Sequence, residues 1–120
     1  MKIKVLLVDD HEIVRIGLAF FLSTQEDIEL VGEAENGKEA LVLVRELSPD
    51  VVLMDLFMPE MDGVEATACI IKEYPDVKVI VLTSFSDHEY VLPALRAGAS
   101  GYLLKDVEPD QLVASIRCAI

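Results

Sequence analysis

The chain has 120 residues and a formal net charge of −12, and 52% of its residues are apolar. This length suits a single domain, 1–120, and no apolar run in it approaches the length of a membrane helix, so we expect no membrane association. The acidic excess comes without any cluster of basic residues, which argues against direct nucleic-acid binding by this segment.

Apolar runs of strand length, rich in Val, Ile and Leu, alternate with helical stretches along the chain. Continuous runs of this kind indicate strands covered on both faces, as in a parallel sheet between two layers of helices. The predicted strands, in chain order, are residues 3–8, 28–31, 51–54, 77–82 and 100–104. The predicted helices cover approximately residues 11–23, 37–47, 63–73, 87–97 and 108–119.

Five alternations of strand and helix predict an α/β fold, the doubly wound parallel sheet of flavodoxin-like (βα)5 type. The second strand alternates apolar and polar residues, as an edge strand does, which gives the strand order 2-1-3-4-5. In this topology the third and fifth helices lie on opposite faces of the sheet. We therefore expect no disulfide between Cys69 and Cys118, which also fit no metal-binding or redox spacing.

The fourth predicted helix contains a proline. Ser86 and Glu89 form a capping-box pattern at its start, and Gly98 closes it. Pro93 then falls in the helix interior, where it removes a backbone hydrogen bond at a cost of up to about 3 kcal/mol. The segment 86–92 is therefore expected to be marginally stable and able to rearrange. The alternative is a helix that starts late or that kinks at Pro93 without consequence.

Polar residues stand where the apolar runs stop, at the carboxyl ends of the predicted strands. In an open parallel sheet these ends form the crevice in which ligands bind. The residues concerned are Asp9, Asp10, Asp55, Thr83 and Lys105. Packed carboxylates repel one another unless a cation lies among them, and oxygen-only ligands select Mg²⁺. A hydroxyl and an ammonium group facing that metal form a phosphoryl site.

Asp55 is the candidate nucleophile of this site. A carboxylate that projects from a buried strand can attack a phosphoryl group and hold it as an acyl phosphate. The predicted metal ligands are Asp10, Asp55 and the backbone carbonyl of Phe57, with Asp9 acting through water. The developing charge is met by the metal and by a fixed cation. Lys105 is predicted to pair with Asp55 or a phosphoryl oxygen, and the Thr83 hydroxyl to bond another oxygen.

The motifs VDDHE, DLFMPEMDG, VLTSF and GYLLKD resemble, over the whole chain, the receiver domain of bacterial response regulators. VDDHE together with AGASGYLLKD is similar to the branch in which a LuxR-type helix-turn-helix domain follows the receiver. The resemblance implies a sensor histidine kinase as phosphoryl donor and a phosphoacceptor rather than a turnover enzyme. It also implies DNA contact only through a C-terminal domain outside these 120 residues, and a cytoplasmic location, which agrees with the lack of a signal-peptide pattern.

The same resemblance implies a conformational switch. Phosphorylation would draw Thr83 towards the phosphoryl group while Tyr102 rotates inward, which remodels the face formed by the fourth helix, fifth strand and fifth helix.

The side chain of Phe57, with that of Phe85, would border the path of attacking water. We interpret His11 and His88 as solvated residues at helix starts.

The first predicted helix has two apolar stripes. At about 100° per residue, the core stripe consists of Val14, Gly17, Leu18 and Phe21. The second stripe consists of Ile13, Ile16 and Phe20. These three residues either flank the core under the fifth helix or form an interface for a partner. The resemblance implies kinase docking on helix one, and a homodimer through helices one and five on phosphorylation.

Three other functions remain open at this point. A free-standing phosphorelay receiver would have no output domain. A haloacid-dehalogenase-like phosphatase needs a second Asp two positions after the nucleophile, where Phe57 stands, and a longer chain for its substrate cap. A flavodoxin-like FMN carrier needs a glycine- and hydroxyl-rich phosphate loop, whereas DDHE after the first strand would repel a phosphate.

Overall fold

A computed structural model describes residues 2–84 and 89–120. Within them the strands are β1 (Ile3–Val8), β2 (Ile28–Ala34), β3 (Val51–Asp55), β4 (Lys78–Thr83) and β5 (Gly101–Leu104). The helices are α1 (Glu12–Ser23), α2 (Gly37–Leu47), α3 (Gly63–Glu73), α4 (Val91–Arg96) and α5 (Pro109–Ala119). All strand pairs are parallel, and the order is β2-β1-β3-β4-β5. The predicted flavodoxin-like fold and strand order are confirmed.

Alternate residues of the central strands enter two separate cores. Leu6 and Val8 of β1 pack in the core under α2, α3 and α4. Val5 and Leu7 pack in the opposite core, under α1 and α5. Because β1 and β3 are covered on both faces, most of their residues are buried and apolar. The predicted separation of the cysteines is confirmed, since α3 and α5 cover opposite faces and both Cys69 and Cys118 are free.

Three strands run further towards their carboxyl ends than predicted. Strand β2 continues to Ala34, which pairs with Val8 of β1 after a shift of register. Strands β3 and β4 end on Asp55 and Thr83, so these polar residues belong to the ladder itself. Their backbones are therefore fixed by hydrogen bonds to neighbouring strands, so the Cα atoms that carry these side chains are held in place.

The fourth helix is shorter than predicted, because it begins at Val91 instead of residue 87. Pro93 is its third residue, a position whose N–H has no partner within a helix in any case. The predicted loss of a hydrogen bond at Pro93 is therefore wrong, and the helix does start late. Gly98 follows the helix at φ 115°, as a closing glycine does. The capping-box residue Ser86 lies outside the described residues.

Helix α1 exposes much of its apolar surface. Ile13, Ile16 and Phe20 are 86%, 58% and 74% exposed, so the fifth helix does not cover them. Gly17 is exposed as well, against its predicted place in the core stripe, and Leu22 is the buried residue of the helix. None of the helices in the described ranges combines the length and apolar character needed to cross a bilayer.

Candidate functional site

The five predicted polar residues all lie at the carboxyl ends of the strands. Asp9 and Asp10 follow β1, and Asp55 ends the adjacent strand β3. Lys105 follows β5, and its N–H donates to the Thr83 carbonyl at 2.8 Å. All five predicted site residues therefore lie at one end of the sheet, as the topology of a parallel sheet requires.

Asp9, Asp55 and Lys105 form a mostly buried charge cluster. Asp9 is 0% exposed and Asp55 is 3% exposed. The Lys105 ammonium lies 3.0 Å from Oδ1 of Asp55 and 3.6 Å from Oδ2 of Asp9. One cation thus faces two buried carboxylates, and the side chain of Asp10 adds a third carboxylate at the mouth of the site. The acidic charge exceeds what Lys105 balances.

His11 also belongs to this cluster, which the sequence did not predict. Its side chain is 58% exposed, as expected of a residue at a helix start. Its Nδ1, however, lies 2.9 Å from Oδ1 of Asp9, 3.2 Å from Oδ1 of Asp10 and 3.7 Å from Oδ2 of Asp55. The interpretation of His11 as a merely solvated residue is therefore incomplete. No part of the described structure contains His88.

Two buried carboxylate oxygens in the cluster have no hydrogen-bond partner among residues 2–84 and 89–120. They are Oδ2 of Asp9 and Oδ2 of Asp55. Leaving such an atom unpaired is costly, so each is expected to serve another group. One ligand atom from each of Asp9, Asp10, His11 and Asp55 lies within 4.8 Å of the others, a spacing that suits a shared cation. The donor set and the unpaired oxygens together fit a divalent metal ion.

The environment of Asp55 disfavours its charged form. Burial, followed by repulsion from Asp9, raises the pKa of the Asp55 carboxyl from 3.8 to about 6, while Lys105 acts in the opposite direction. Asp10 adds a smaller repulsion. A raised pKa in a crevice is typical of a carboxyl group kept for chemistry rather than for stability. Above pH 6 the group is mainly a carboxylate, the form that can act as a nucleophile.

Arg15 holds the loop between β1 and α1 in place. Its side chain is 12% exposed, and Nη1 donates to the Asp9 carbonyl at 2.7 Å. Nε lies 3.3 Å from a carboxylate oxygen of Glu33 on β2, and Nη2 lies 3.4 Å from one of Glu35. The Asp9 side chain in turn accepts the His11 N–H at 2.8 Å. Arg15 therefore fixes the backbone that carries the acidic residues.

The loop between β3 and α3 depends on a glycine. The Gly63 N–H donates to the Leu56 carbonyl at 2.8 Å, and a Cβ on Gly63 would overlap the Asp55 carbonyl oxygen. Asp62 caps α3 by accepting the Glu65 N–H at 2.8 Å. The beginning of α3 can thus pack directly against the end of β3, which fixes the residues after Asp55.

Phe57, in the same loop, faces the start of α4. It is 45% exposed, and its ring lies edge-on to the Tyr90 ring with centroids 4.8 Å apart. Phe85, the other residue predicted to border the site, lies outside the described residues. The ring contact of Phe57 is therefore made with Tyr90, a residue that the sequence did not single out.

Thr83 and Tyr102 occupy different environments. Thr83 is 1% exposed, and its hydroxyl donates to the Ser84 carbonyl at 3.3 Å. Tyr102 lies on β5, opposite Val81 of β4, and is 51% exposed. The threonine is thus buried at the end of its strand, whereas the tyrosine is about half exposed.

An acidic site at the carboxyl edge of a 2-1-3-4-5 sheet, with a lysine beside it, is typical of a phosphoacceptor class of signalling domain. The family described as response regulator receiver domain matches residues 5–117. The chain belongs to that family, as its motifs indicated.

Two curated relatives from Bacillus subtilis (strain 168) show how close the match is. The uncharacterized transcriptional regulatory protein YhcZ is 58% identical over 110 residues, which are 92% of this chain and 51% of the relative. The transcriptional regulatory protein LiaR is 56% identical over 117 residues, which are 98% of this chain and 56% of the relative. The chain thus spans little more than half the length of these relatives.

Among solved structures, a two-component response regulator of the LuxR family from Aurantimonas sp. SI85-9A1 is similar to this chain. It superposes with a TM-score of 0.90 at 36% identity and covers 98% of this chain and 84% of its own. This similarity supports the predicted LuxR-type branch of the family.

Proposed function

We propose that this receiver domain accepts a phosphoryl group on Asp55 from the phosphohistidine of a sensor histidine kinase. The observation that supports this role is the position of Asp55 at the end of a buried strand, with the Lys105 ammonium 3.0 Å away. In the transfer, a carboxylate oxygen of Asp55 forms a bond to phosphorus as the phosphorus–nitrogen bond breaks. The domain is then a phosphoacceptor and not a turnover enzyme.

The metal in this proposal is Mg²⁺. Asp10, Asp55 and the backbone carbonyl of Phe57 would hold it, and Asp9 would act through water. Two oxygens without hydrogen bonds, Oδ2 of Asp9 and Oδ2 of Asp55, support this assignment. They belong to a cluster with excess negative charge, which a bound cation would offset. When bound, Mg²⁺ supplies positive charge against the phosphoryl oxygens. Lys105 supplies a second fixed cation, and it lowers the pKa of Asp55 against the burial that raises it.

The proposed response is a change of the face formed by α4, β5 and α5. Thr83 would bond a phosphoryl oxygen, exchanging its weak 3.3 Å bond to Ser84 for a charge-assisted one. Tyr102, now 51% exposed, would turn into the space that Thr83 leaves. The face would then have two arrangements, and the phosphoryl group would shift the population towards the arrangement with which it makes the better contacts.

The proposed output follows the LuxR-type branch. A C-terminal helix-turn-helix domain outside these 120 residues would contact DNA, and phosphorylation would favour a homodimer through Ile13, Ile16 and Phe20 near α5. Such a protein would work in the cytoplasm. The exposure of those three side chains supports an interface, since a stripe of this kind is costly to leave in water. A free-standing phosphorelay receiver is the alternative for a chain without that domain.

A phosphatase is the less favoured candidate. The loop after Asp55 places Phe57 where a haloacid-dehalogenase-like enzyme needs its acid–base aspartate. No acidic side chain in the described ranges other than Asp9, Asp10 and Asp55 joins the cluster. These observations therefore support a phosphoacceptor over a phosphatase that hydrolyses esters.

Acetyl phosphate tests the proposed acceptor chemistry. With Mg²⁺ we expect intact-mass analysis to show one added phosphoryl group that hydroxylamine removes, because acyl phosphates react with hydroxylamine. We expect no addition in EDTA or with Asp55→Ala. Equal phosphorylation of Asp55→Ala and the unchanged chain would contradict the proposal. Turnover of a generic phosphate ester would support the phosphatase instead.

A further inference from the structure

The first turn of α2 approaches the loop between β3 and α3 at backbone distance. The Gly37 N–H donates to the Met61 carbonyl oxygen at 3.1 Å. A Cβ on Gly37 would lie 2.6 Å from the same oxygen and 2.8 Å from Cγ of Met61, closer than the 3.0 Å that such contacts respect. A backbone oxygen cannot turn aside as the end of a flexible side chain can. The approach of the two segments therefore requires glycine at position 37.

The conformation of this loop depends on contacts with other elements. Glu60 lies in the left-handed region at φ 67°, where a non-glycine residue is strained and persists only if its surroundings hold it. Met61, the next residue, packs against the core under α2, α3 and α4. At the base of the loop, the Gly63 N–H donates to the Leu56 carbonyl. Phe57 lies between these two attachment points.

The start of α2 is itself held firmly enough to act on the loop. Gly37 is buried, and Asn36 caps the helix by accepting the Glu39 N–H at 2.9 Å. The Glu39 carboxylate in turn accepts the Glu35 N–H at 3.3 Å and an N–H of the Asn36 side chain at 3.2 Å. This is the reciprocal arrangement of a capping box. The Glu35 carboxylate also lies 3.4 Å from Arg15, so the turn between β2 and α2 contacts both loops that flank the acidic cluster.

We propose that Gly37 is a positioning residue for the Mg²⁺ site, because it holds, through Met61, the loop that presents the Phe57 carbonyl. This inference rests on the proposed function for the metal ion and for that backbone ligand. Displacement of the loop would withdraw one oxygen from the ion. Asp10 and Asp55 belong to the ends of β1 and β3 and would keep their places. Loss of the Gly37 contact should therefore weaken Mg²⁺ binding more than it slows phosphorylation of the metal-bound chain.

Isothermal titration of Mg²⁺ into Gly37→Ala tests this role. We expect the dissociation constant to rise by about tenfold or more, in the range typical of groups that orient metal ligands. With acetyl phosphate, the Mg²⁺ concentration for half-maximal phosphorylation should rise by the same factor, and the rate at saturating Mg²⁺ should change less than about threefold. Gly32→Ala is the matched control. Its new methyl group also lies under α2, but it meets the flexible end of Leu47 instead of the loop, so both constants should stay within about twofold.

Asn36→Ala gives a second test that introduces no clash. Without its cap the first turn of α2 should fray. We expect faster amide exchange at Gly37 in the metal-free chain and an Mg²⁺ dissociation constant raised by about threefold or more. Unchanged Mg²⁺ affinity in folded Gly37→Ala, or an equal loss in Gly32→Ala, would overturn the inference. If Gly37→Ala does not fold, unchanged affinity in Asn36→Ala despite faster exchange at Gly37 would overturn it. Absence of Mg²⁺ binding in the unchanged chain would overturn the metal site of the proposed function as well.

Discussion

Asp55 combines an unfavourable environment with the chemical role proposed for it. It is 3% exposed, and one of its oxygens has no hydrogen-bond partner in the part of the chain that the structure describes. Burial and the nearby Asp9 carboxylate raise its pKa to about 6 against the attraction of Lys105. The charged form of Asp55 therefore lowers the stability of the metal-free domain, and a bound cation would relieve that penalty.

The raised pKa of Asp55 predicts how stability varies with pH. A carboxyl with a higher pKa in the folded state stabilises the fold below its ordinary pKa of 3.8, and this stability is lost as pH rises through about 6. Without metal, we expect Asp55→Asn to be more stable than the unchanged chain by about 1–3 kcal/mol at pH 8. The advantage should shrink towards pH 4. Urea denaturation at several pH values measures it.

Asp27→Asn is a control of opposite sign for this prediction. A hydrogen bond from Arg117 lowers the pKa of Asp27 in the folded state. The stability from Asp27 is therefore present above its ordinary pKa and lost as pH falls, so this variant should lose a little stability at pH 8 and none at low pH. An Asp55→Asn advantage that did not depend on pH would contradict the electrostatic explanation.

The sequence predicted the carboxylates and the lysine of the site, but not the contribution of His11. Asp9, Asp55 and Lys105 directly follow or end apolar strands, so the topology alone brings them together. His11 begins a helix, which predicts solvation, and it is indeed 58% exposed. Its ring nitrogen enters the cluster because the Asp9 side chain folds back on the His11 N–H, a loop geometry that residue order does not specify.

At the level of elements, the loop between β1 and α1 depends on Arg15. This side chain connects the Asp9 carbonyl to Glu33 on β2 and to Glu35, and it is 12% exposed. We expect Arg15→Met to keep the fold but to weaken Mg²⁺ binding by about tenfold, because groups that orient metal ligands typically contribute 10–100-fold to affinity. Isothermal titration with Mg²⁺ measures the change.

Arg117→Met is the matched control for Arg15→Met. Arg117 pairs with Asp27, just before β2, at 2.6 Å, and both side chains are about half exposed. Asp27 directly precedes the amino end of β2, whereas the site lies at the carboxyl ends of the strands. Similar losses of Mg²⁺ affinity in the two variants would mean that Arg15 acts through general stability and not through the loop.

The elements differ in how well the sequence predicted them. Helix α2 begins at Gly37 and ends at Leu47 as predicted, because Asn36 caps its start by accepting the Glu39 N–H at 2.9 Å. The predicted fourth helix was longer than α4. A proline is tolerated in the first turn of a helix, so Pro93 does not indicate at which residue the helix begins. A capping residue can thus be recognised in the sequence, whereas a proline near a helix start is compatible with several first residues of the helix.

At the scale of the whole molecule, two exposed apolar surfaces are candidates for the interface of the proposed dimer. The first is the α1 stripe of Ile13, Ile16 and Phe20, and the second includes Leu92 and Leu95 on α4, which are 54% and 37% exposed. A groove of about 280 Å³ between α1 and α5 adjoins the α1 stripe. We favour the α1 surface because its side chains are more exposed and the groove continues it.

Light scattering on the beryllofluoride-treated chain can separate these surfaces. We expect the unchanged chain to dimerise with Mg²⁺ and beryllofluoride, and Phe20→Asp to weaken the dimer by tenfold or more, because a buried unpaired carboxylate costs several kcal/mol. Leu92→Asp places the same charge on α4 and should leave the dimer intact. Loss of the dimer in Leu92→Asp alone would assign the interface to α4.

The sheet order was predictable from the chain because the central strands are mostly apolar, with their polar residues near the strand ends, and each is followed by a helix. Strand β2, with Glu29 and Glu33 among its residues, could only lie at an edge. The orientation of Tyr102 and the ring contact of Phe57 with Tyr90 were not predictable, since they depend on how loops pack above the sheet. The fold follows from residue patterns within each strand and helix. The residues around the site, in contrast, are placed by contacts between different elements.

The most direct test of the account identifies the aspartate that carries the phosphoryl group. Borohydride reduction of the chain after treatment with acetyl phosphate and Mg²⁺ converts a phosphorylated aspartate to homoserine, which tandem mass spectrometry locates. The account predicts homoserine at position 55, since Asp55 is the buried carboxylate beside Lys105. Homoserine at position 9 or 10, with position 55 unmodified, would contradict it.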